Sequence, residues 1–430
     1  MATRTKQIAK QMKLRLTGKR LLAAASILGA SLAITSCGPG NTVDYVYVTS
    51  NRQNPGQVNA YVLDSLTGGL VQLLDSPYPS GGRNPVYDVT SPDGKYLYVA
   101  NHDDNTIVMF AIGVDGKLYP LQTVNTPGTE PVALAISPDG SRLYALDYYA
   151  PASPGQPSFT DLNPGPGAVV AFPINTANGQ LGAALSVGAT NYWQVQCFPS
   201  NLAVTPDGAH LYVTNTNAVL VTTSPPVTGT VPILPKSCPA SGTVSEFAVG
   251  GSGAAPLTEL TGSPMSTGAG SQPTGITADP SSGAIYVTDA AQNQLYSYSV
   301  QATGALTLSS TVGTGNQPMG ATVAAGKTSK FLYVTNYVDG TISSYLLGSG
   351  APKAIATTNA GSSGPLCIMV DPELQRFLYT SDYIGGTVGG AELDPANGTL
   401  ILNQNSPYVT SGQPTCVAAV SHKQGRHNGV

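Results

Sequence analysis

Lys330-Phe331-Leu332-Tyr333-Val334-Thr335-Asn336 is an apolar, β-branched and aromatic run that ends in Asn. Such a run reads as a strand entering a turn. The chain repeats it. Tyr98-Val99-Ala100-Asn101, Tyr212-Val213-Thr214-Asn215 and Tyr286-Val287-Thr288-Asp289 are close copies. Tyr47-Val48-Thr49-Ser50, Tyr144-Ala145-Leu146-Asp147 and Tyr379-Thr380-Ser381-Asp382 are looser ones. The spacings between successive tyrosines are 51, 46, 68, 74, 47 and 46 residues. A regular frame therefore carries two insertions, and the repeat decides the architecture before any site is considered.

Each repeat reads as four strands. A first apolar strand leads into a Pro-Asp-Gly turn at Pro92-Asp93-Gly94, Pro138-Asp139-Gly140 and Pro206-Asp207-Gly208. The tyrosine strand follows, then a third strand such as Thr106-Ile107-Val108-Met109-Phe110. A Gly turn such as Asp115-Gly116 leads to a short outer strand. Four antiparallel strands in every 45–50 residues, with no helical period in the body, predict an all-β, seven-bladed β-propeller. The body opens on a second strand, at Tyr45, and ends on a lone first strand, Gln413-Pro414-Thr415-Cys416-Val417. That last strand is expected to join blade one as its innermost strand and close the ring. The expected layout is a signal peptide over 1–36, a linker over 37–42, the propeller over 43–420 and a polar tail over 421–430.

Charged residues are only 10% of the chain, while Gly (49) and Pro (34) are abundant, as short strands and tight turns require. Seven of the 19 basic residues precede Cys37 and no acidic residue does. The remainder sets 12 basic against 23 acidic residues, a net of −11. Such a body repels nucleic acid, which is excluded as a partner.

The first residues read as an address. A basic region ends at Arg20, and Leu21 to Ile34 is a mostly apolar run, short for a bilayer span and suited to a signal-peptide core. It leads into Ile34-Thr35-Ser36-Cys37, which resembles the bacterial lipobox. The resemblance implies acylation at Cys37, a membrane anchor and an exported cell-envelope lipoprotein. With Pro39 and no Asp after Cys37, the analogy points to the outer membrane. Four cysteines remain in an exported body, which invites disulfides. Cys197, at the entry to blade four, and Cys238, in that blade's insertion, form one expected pair. Cys367 and Cys416 hold equivalent places in blades seven and one, and are expected to clip the seam. No Cys-x-x-Cys or clustered His suggests a metal, and no motif suggests a cofactor.

The tyrosine-valine-threonine-asparagine strand with its Pro-Asp-Gly turn resembles the YVTN-repeat and lactonase-like (6-phosphogluconolactonase-type) seven-bladed propellers over residues 43–420. In that family the Tyr packs between blades, the Val fills the sheet and the terminal Asn or Asp holds the following turn. The family's sugar-lactone hydrolases carry His and Arg near blade starts, as Gly-Pro-Arg-His. Here the matching places read Glu130-Pro131-Val132, Gln272-Pro273-Thr274 and Gln317-Pro318-Met319.

Strand direction alternates, so loops between second and third strands share one face with the loops that join blades. Both insertions, 148–165 and 216–241, fall on that face, as does the blade-joining stretch 188–199. Binding residues concentrate on loops set by a rigid frame. The face offers Arg52, Arg83, His102, Asp103 and Glu130 from blades one to three, and Tyr148, Tyr149, Asp161, Tyr192, Trp193 and Gln194 from blades three and four. Arg suits an anionic group on a ligand, and His a general base. The plainer readings are a solvated turn for His102, surface ion pairs for Arg52 and Arg83, and a hydrophobic anchor for Trp193 with Tyr192. The leading expectation is a lipid-anchored binding module for an envelope protein, a glycan or a small anionic ligand, using Tyr149, Asp161, Tyr192, Trp193 and Gln194. The alternative is a lactone hydrolase with His102 as base, Arg52 and Arg83 holding an anionic group, and Glu130 beside them.

Overall fold

The computed structural model describes residues 42–52, 54–152, 157–161, 163–186, 188–217, 238–239, 241–250, 256–325 and 329–422. Cys37, the lipobox-like residues before it and the preceding apolar run lie outside them, as does most of the blade-four insertion. No described helix is long and apolar enough to cross a membrane. The described residues from Val43 to His422 form one compact unit.

Seven antiparallel sheets make up the body, each with at least four strands. Blade two shows the plan with Pro85–Thr90, Tyr96–Asn101, Thr106–Ile112 and Leu118–Asn125 in order from the axis outward. Pro414–Ser421 pairs with Thr42–Ser50, so the last strand is the innermost strand of blade one and both chain ends share a sheet. The expected closure is therefore present. In blades one, four and seven the outer strand is broken in two around Ser76-Pro77, Ser263-Pro264 and Ser406-Pro407, all cis. Each of those serine hydroxyls accepts a backbone N–H from its blade's third strand, from Ala60, Glu246 and Gly390.

The core is divided among the blades. Seven clusters of buried side chains fill the seven junctions between successive blades. The repeat tyrosine forms a lock at most of them. Its hydroxyl donates to a glycine carbonyl in the next blade's outer turn: Tyr47 to Gly116 at 2.8 Å, Tyr98 to Gly179 at 2.6 Å and Tyr212 to Gly304 at 2.6 Å. Tyr333 bonds to Gly398 at 3.0 Å, and Tyr379 to Gly68 at 2.7 Å across the ring closure. Two residues before each of these tyrosines stands a ring, from Tyr45, Tyr96, His210, Phe331 or Phe377. That ring lies where a Cβ on the glycine would be, so the turn must be glycine. Arg142 and Ala284 replace the ring in blades three and five, and Tyr144 and Tyr286 make no such bond among the described residues.

Both expected disulfides are formed. Cys197 and Cys238 have their Cα atoms 5.5 Å apart, and Cys367 and Cys416 5.0 Å apart. One placement differs from expectation. Trp193–Cys197 is a strand, the outermost of blade three, and only Pro199 begins blade four. Alternating burial explains it: Trp193, Val195 and Cys197 face inward, while Gln194 faces solvent. Cys197 thus closes blade three instead of entering blade four.

Candidate functional site

The first strands of all seven blades line a central channel of about 190 Å³, with Tyr87, Val132, Asn201, Thr274, Met319, Cys367 and Thr415 on its wall. Hydroxyl groups lash neighbouring first strands together at its rim. Thr415 donates to the carbonyl of Pro85 at 2.8 Å, and Thr274 to that of Pro318 at 2.7 Å.

Each first strand carries a proline, as its first residue in six blades and as its third, Pro131, in blade three, and the residue before that proline is left-handed in several blades: Asn84 (φ 51°), Glu130 (φ 59°), Phe198 (φ 52°) and Gln317 (φ 53°). Non-glycine residues adopt this region only where their surroundings hold them there. At Glu130 and Gln317 a left-handed Asn from the preceding blade does the holding. Asn105 Oδ1 accepts the Glu130 N–H at 2.7 Å, and Asn293 Oδ1 accepts the Gln317 N–H at 2.8 Å. The conformation is architectural, and the carboxylate is peculiar to blade three. It places Glu130 at the channel mouth, two residues before Val132 of the wall.

His102 reaches the same place from blade two. Residues His102–Asp104 form one 3-10 turn, closed by Asn105 in the left-handed region. His102 Nδ1 lies 2.8 Å from Asp103 Oδ1, and Nε2 lies 3.8 Å from Glu130 Oε2. The turn is itself braced: Asn84 donates to Asp103 Oδ1 at 3.0 Å, and Arg83 donates from its backbone and its Nε to Asp104, both at 2.7 Å. Asp161, from the blade-three insertion, accepts the Tyr149 hydroxyl at 2.9 Å.

Burial raises the Glu130 carboxyl above the ordinary glutamate range; His102 opposes this, while Asp161 and Asp103 add to it. Burial also pushes at Asp103, but hydrogen bonds from Asn84 and His102 hold it below the usual carboxylate range. Burial and the Asp161 hydrogen bond raise the Tyr149 hydroxyl. One side of the cluster thus favours an ionised acid and the other a protonated one, a separation typical of acid–base sites.

The structure therefore brings His102, Glu130, Tyr149 and Asp161 into one neighbourhood at the junction of blades two and three, with Arg83 bracing the turn beneath. Arg52 is exposed on blade one and is not part of it. Tyr192 packs against the core between blades two and three. Trp193 is 8% exposed, and its indole N–H donates to the carbonyl of Leu257 at 2.9 Å. Being on the outer strand, Trp193 and Gln194 stand three strand spacings, about 14 Å, outside the first strand that walls the channel. Asn84, Asp104 and Asn105 complete the cluster without having been picked out by sequence. Their signal is the repeat itself: Asn84 and Asp104 sit where blade six has Gln317 and Asp339, and Asn105 sits where blade five has Asn293, with Asn316 N–H bonded to Asp339 at 2.7 Å as Arg83 N–H is to Asp104. Larger grooves, up to about 840 Å³, lie on the opposite face, but the carboxylates there are tied into their own turns, Ser137 to Asp139 and Thr205 to Asp207 at 2.6 Å. Among the described residues no three His, Cys, Asp or Glu are grouped to hold a metal.

Comparisons with known proteins agree with this fold. The sequence model of the family described as "Lactonase, 7-bladed beta-propeller" matches residues 89–148, 239–366 and 288–422, together more than half of the chain. A 6-phosphogluconolactonase of Formosa agariphila is 31% identical over 93 residues, 22% of this chain, and the chain spans a quarter (25%) of that relative's length. The structure of a periplasmic gluconolactonase from Pseudomonas aeruginosa superposes with a TM-score of 0.66 at 18% identity, over 88% of this chain and 99% of that one. A Bacteroides fragilis protein, a candidate 6-phosphogluconolactonase, superposes with a TM-score of 0.66 at 18% identity over 90% of this chain and 100% of its own. At such identities the superpositions establish the fold alone, and the expected binding module finds no support among relatives with lactonase names. The matched family model covers enough of the sequence to place it: the chain belongs to the seven-bladed β-propeller lactonase family.

Proposed function

We propose that the chain hydrolyses a lactone at the channel mouth between blades two and three. The observation that carries this reading is His102 standing between Asp103, at 2.8 Å, and Glu130, at 3.8 Å. Asp103 accepts the Nδ1–H and so selects the tautomer in which Nε2 is free to take a proton. Nε2 removes a proton from water as the water oxygen bonds to the lactone carbonyl carbon. The ring C–O bond then breaks, and Glu130, protonated to a higher pH than an ordinary glutamate, donates to the departing ring oxygen. The product is the open hydroxy acid, and the imidazolium proton returns to Glu130 across the gap between them.

The ring of charges around the mouth favours an uncharged lactone. Arg83 is committed to Asp104, while the Asp103 and Asp161 carboxylates face the site, so a phosphorylated substrate meets repulsion. The test is a pH-stat assay of glucono-1,5-lactone and 6-phosphoglucono-1,5-lactone with the wild type and His102→Ala. Turnover of the uncharged lactone that is lost in the variant is expected. Failure to open either lactone ends the reading.

The same reading takes the protein as exported and anchored through Cys37. The two disulfides fit an oxidising compartment, and the ordered basic region, apolar core and box supply the address. Mass spectrometry of the N-terminal peptide from an envelope fraction tests it: an unmodified Cys37 would refute the anchor.

A further inference from the structure

The tyrosine lock fails at two junctions between blades. That between blades three and four borders residues 251–255, which lie outside the described residues. At the junction between blades five and six every residue lining the gap is described. Two small residues coincide there. Ala284 replaces the ring that elsewhere covers the neighbour's turn, and Ser297 sits opposite Tyr286 on the third strand. Blade two has Met109 at the position of Ser297, packed against Gly179 of the next blade. Blade four has Glu246 there, reaching the backbone N–H of Leu306 in the next blade at 2.9 Å. Ser297 reaches neither kind of partner. A cleft of about 300 Å³ results, roofed by the outer turn of blade six.

The cleft is lined by groups that lack partners of their own. Ser297 is 7% exposed, and its hydroxyl has no hydrogen-bond partner; the buried hydroxyl of Ser310 has none either. Buried polar groups in this state call for a partner from outside the fold. The Tyr286 ring and Leu347 add apolar surface to the same walls. Lys330 at one end is neutralised by Asp279 and also bonds to Ser281 at 2.9 Å, so the cleft carries no uncompensated charge. At ~30 Å³ per water, its volume is that of roughly ten waters, room for a single six-membered sugar ring. Unpartnered hydroxyls beside aromatic and aliphatic surface complement a pyranose, whose edges are hydroxyls and whose faces are C–H groups.

We propose that the cleft between blades five and six binds one neutral pyranose unit, at a site separate from the lactonase centre and on the half of the ring nearer the Pro-Asp-Gly turns. The proposal does not depend on the proposed reaction. The probes are the methyl glycosides of glucose, galactose and mannose, which contain no lactone, titrated against the full protein by saturation-transfer NMR. Saturable binding of at least one is expected. It should be abolished in Ala284→Phe, which fills the cleft, and about tenfold weaker in Ser297→Ala, which deletes one hydroxyl partner. His102→Ala should bind as the wild type does. If Ala284→Phe folds poorly, Ser297→Ala carries the test alone. No saturable binding by any glycoside, binding untouched by the cleft variants, or binding lost in His102→Ala would each overturn the proposal.

Discussion

The hydroxyl of Tyr379, in blade seven, donates to the carbonyl of Gly68, in blade one, at 2.7 Å and across 311 residues of sequence. Asn403 donates to the same carbonyl at 2.8 Å. Gly68 holds φ 65°, and a Cβ there would overlap the Phe377 ring. Tyr379→Phe removes one hydrogen bond of several and should cost about 1 kcal/mol. Gly68→Ala meets both the left-handed backbone and the ring, so it should cost more, about 2–4 kcal/mol. Urea midpoints of the two variants check the order. An equal effect would mean that the glycine is not a steric requirement of the seam.

The seam has a covalent clip as well. Cys367, on the first strand of blade seven, is bonded to Cys416 on the strand whose pairing with Thr42–Ser50 closes the ring. Closing a loop of 49 residues restricts the unfolded chain. The double variant Cys367→Ala, Cys416→Ala should lose about 2–4 kcal/mol in reversible denaturation. It should keep the wild-type far-ultraviolet circular dichroism, because the pairing of Pro414–Ser421 with Thr42–Ser50 remains. A variant as stable as the wild type would make the clip redundant.

One repeat position supplies a pH effect. Burial pushes the Asp382 carboxyl up to about 8 and Asp147, its counterpart in blade three, up to about 7. Against the unfolded value of 3.8, the folded state binds the extra protons in between. The stability they contribute is therefore full below about pH 4 and is lost as pH rises through about 7 and 8. Blades two, four and six have Asn101, Asn215 and Asn336 at the same place, where the Asn336 amide donates to Thr341 at 2.9 Å. Thr387 is the counterpart of Thr341 beside Asp382. Asp382→Asn should thus raise the melting temperature above pH 8 and leave it nearly unchanged near pH 4. A uniform shift at both pH values would refute the titration account.

Much of the fold was legible because each blade is specified locally. Alternating burial, Pro-Asp-Gly turns and the Tyr–Gly lock all fall within or between adjacent repeats, so the blade count, the closing strand and both cysteine pairs follow from position. The site was legible only as a list of face residues. Glu130 and His102 are 28 residues apart in sequence, and no spacing motif joins them. Their meeting depends on a left-handed backbone that Asn84, Glu130, Phe198 and Gln317 share without sharing chemistry. The ring imposes that conformation, and no residue preference announces it. Trp193 misled for the opposite reason. A long gap after a strand reads as loop, yet the Trp193–Cys197 alternation was strong enough to make the missing outer strand of blade three.

The arrangement at the channel mouth makes the roles of four residues separable. His102→Ala removes the base and should lower kcat/KM for an uncharged lactone by about 10²–10⁴-fold, with little change in melting temperature. Asp103→Asn keeps the shape of the turn but offers Nδ1 no carboxylate, so kcat should fall while KM stays close to the wild type. Glu130 acts in its protonated form, which burial and the neighbouring carboxylates extend to higher pH than an ordinary glutamate. Wild-type kcat/KM should therefore fall on the alkaline side as Glu130 ionises. Glu130→Gln should be slower and should lose that limb, because the amide cannot ionise. Replacing Asp161 by Asn removes a charge that raises Glu130, so the limb should move to lower pH while the Tyr149 hydroxyl keeps an acceptor. pH–rate profiles of the wild type, Glu130→Gln and Asp161→Asn decide the matter. An alkaline limb unchanged in both Glu130→Gln and Asp161→Asn would remove Glu130 as the acid and leave His102 without its partner.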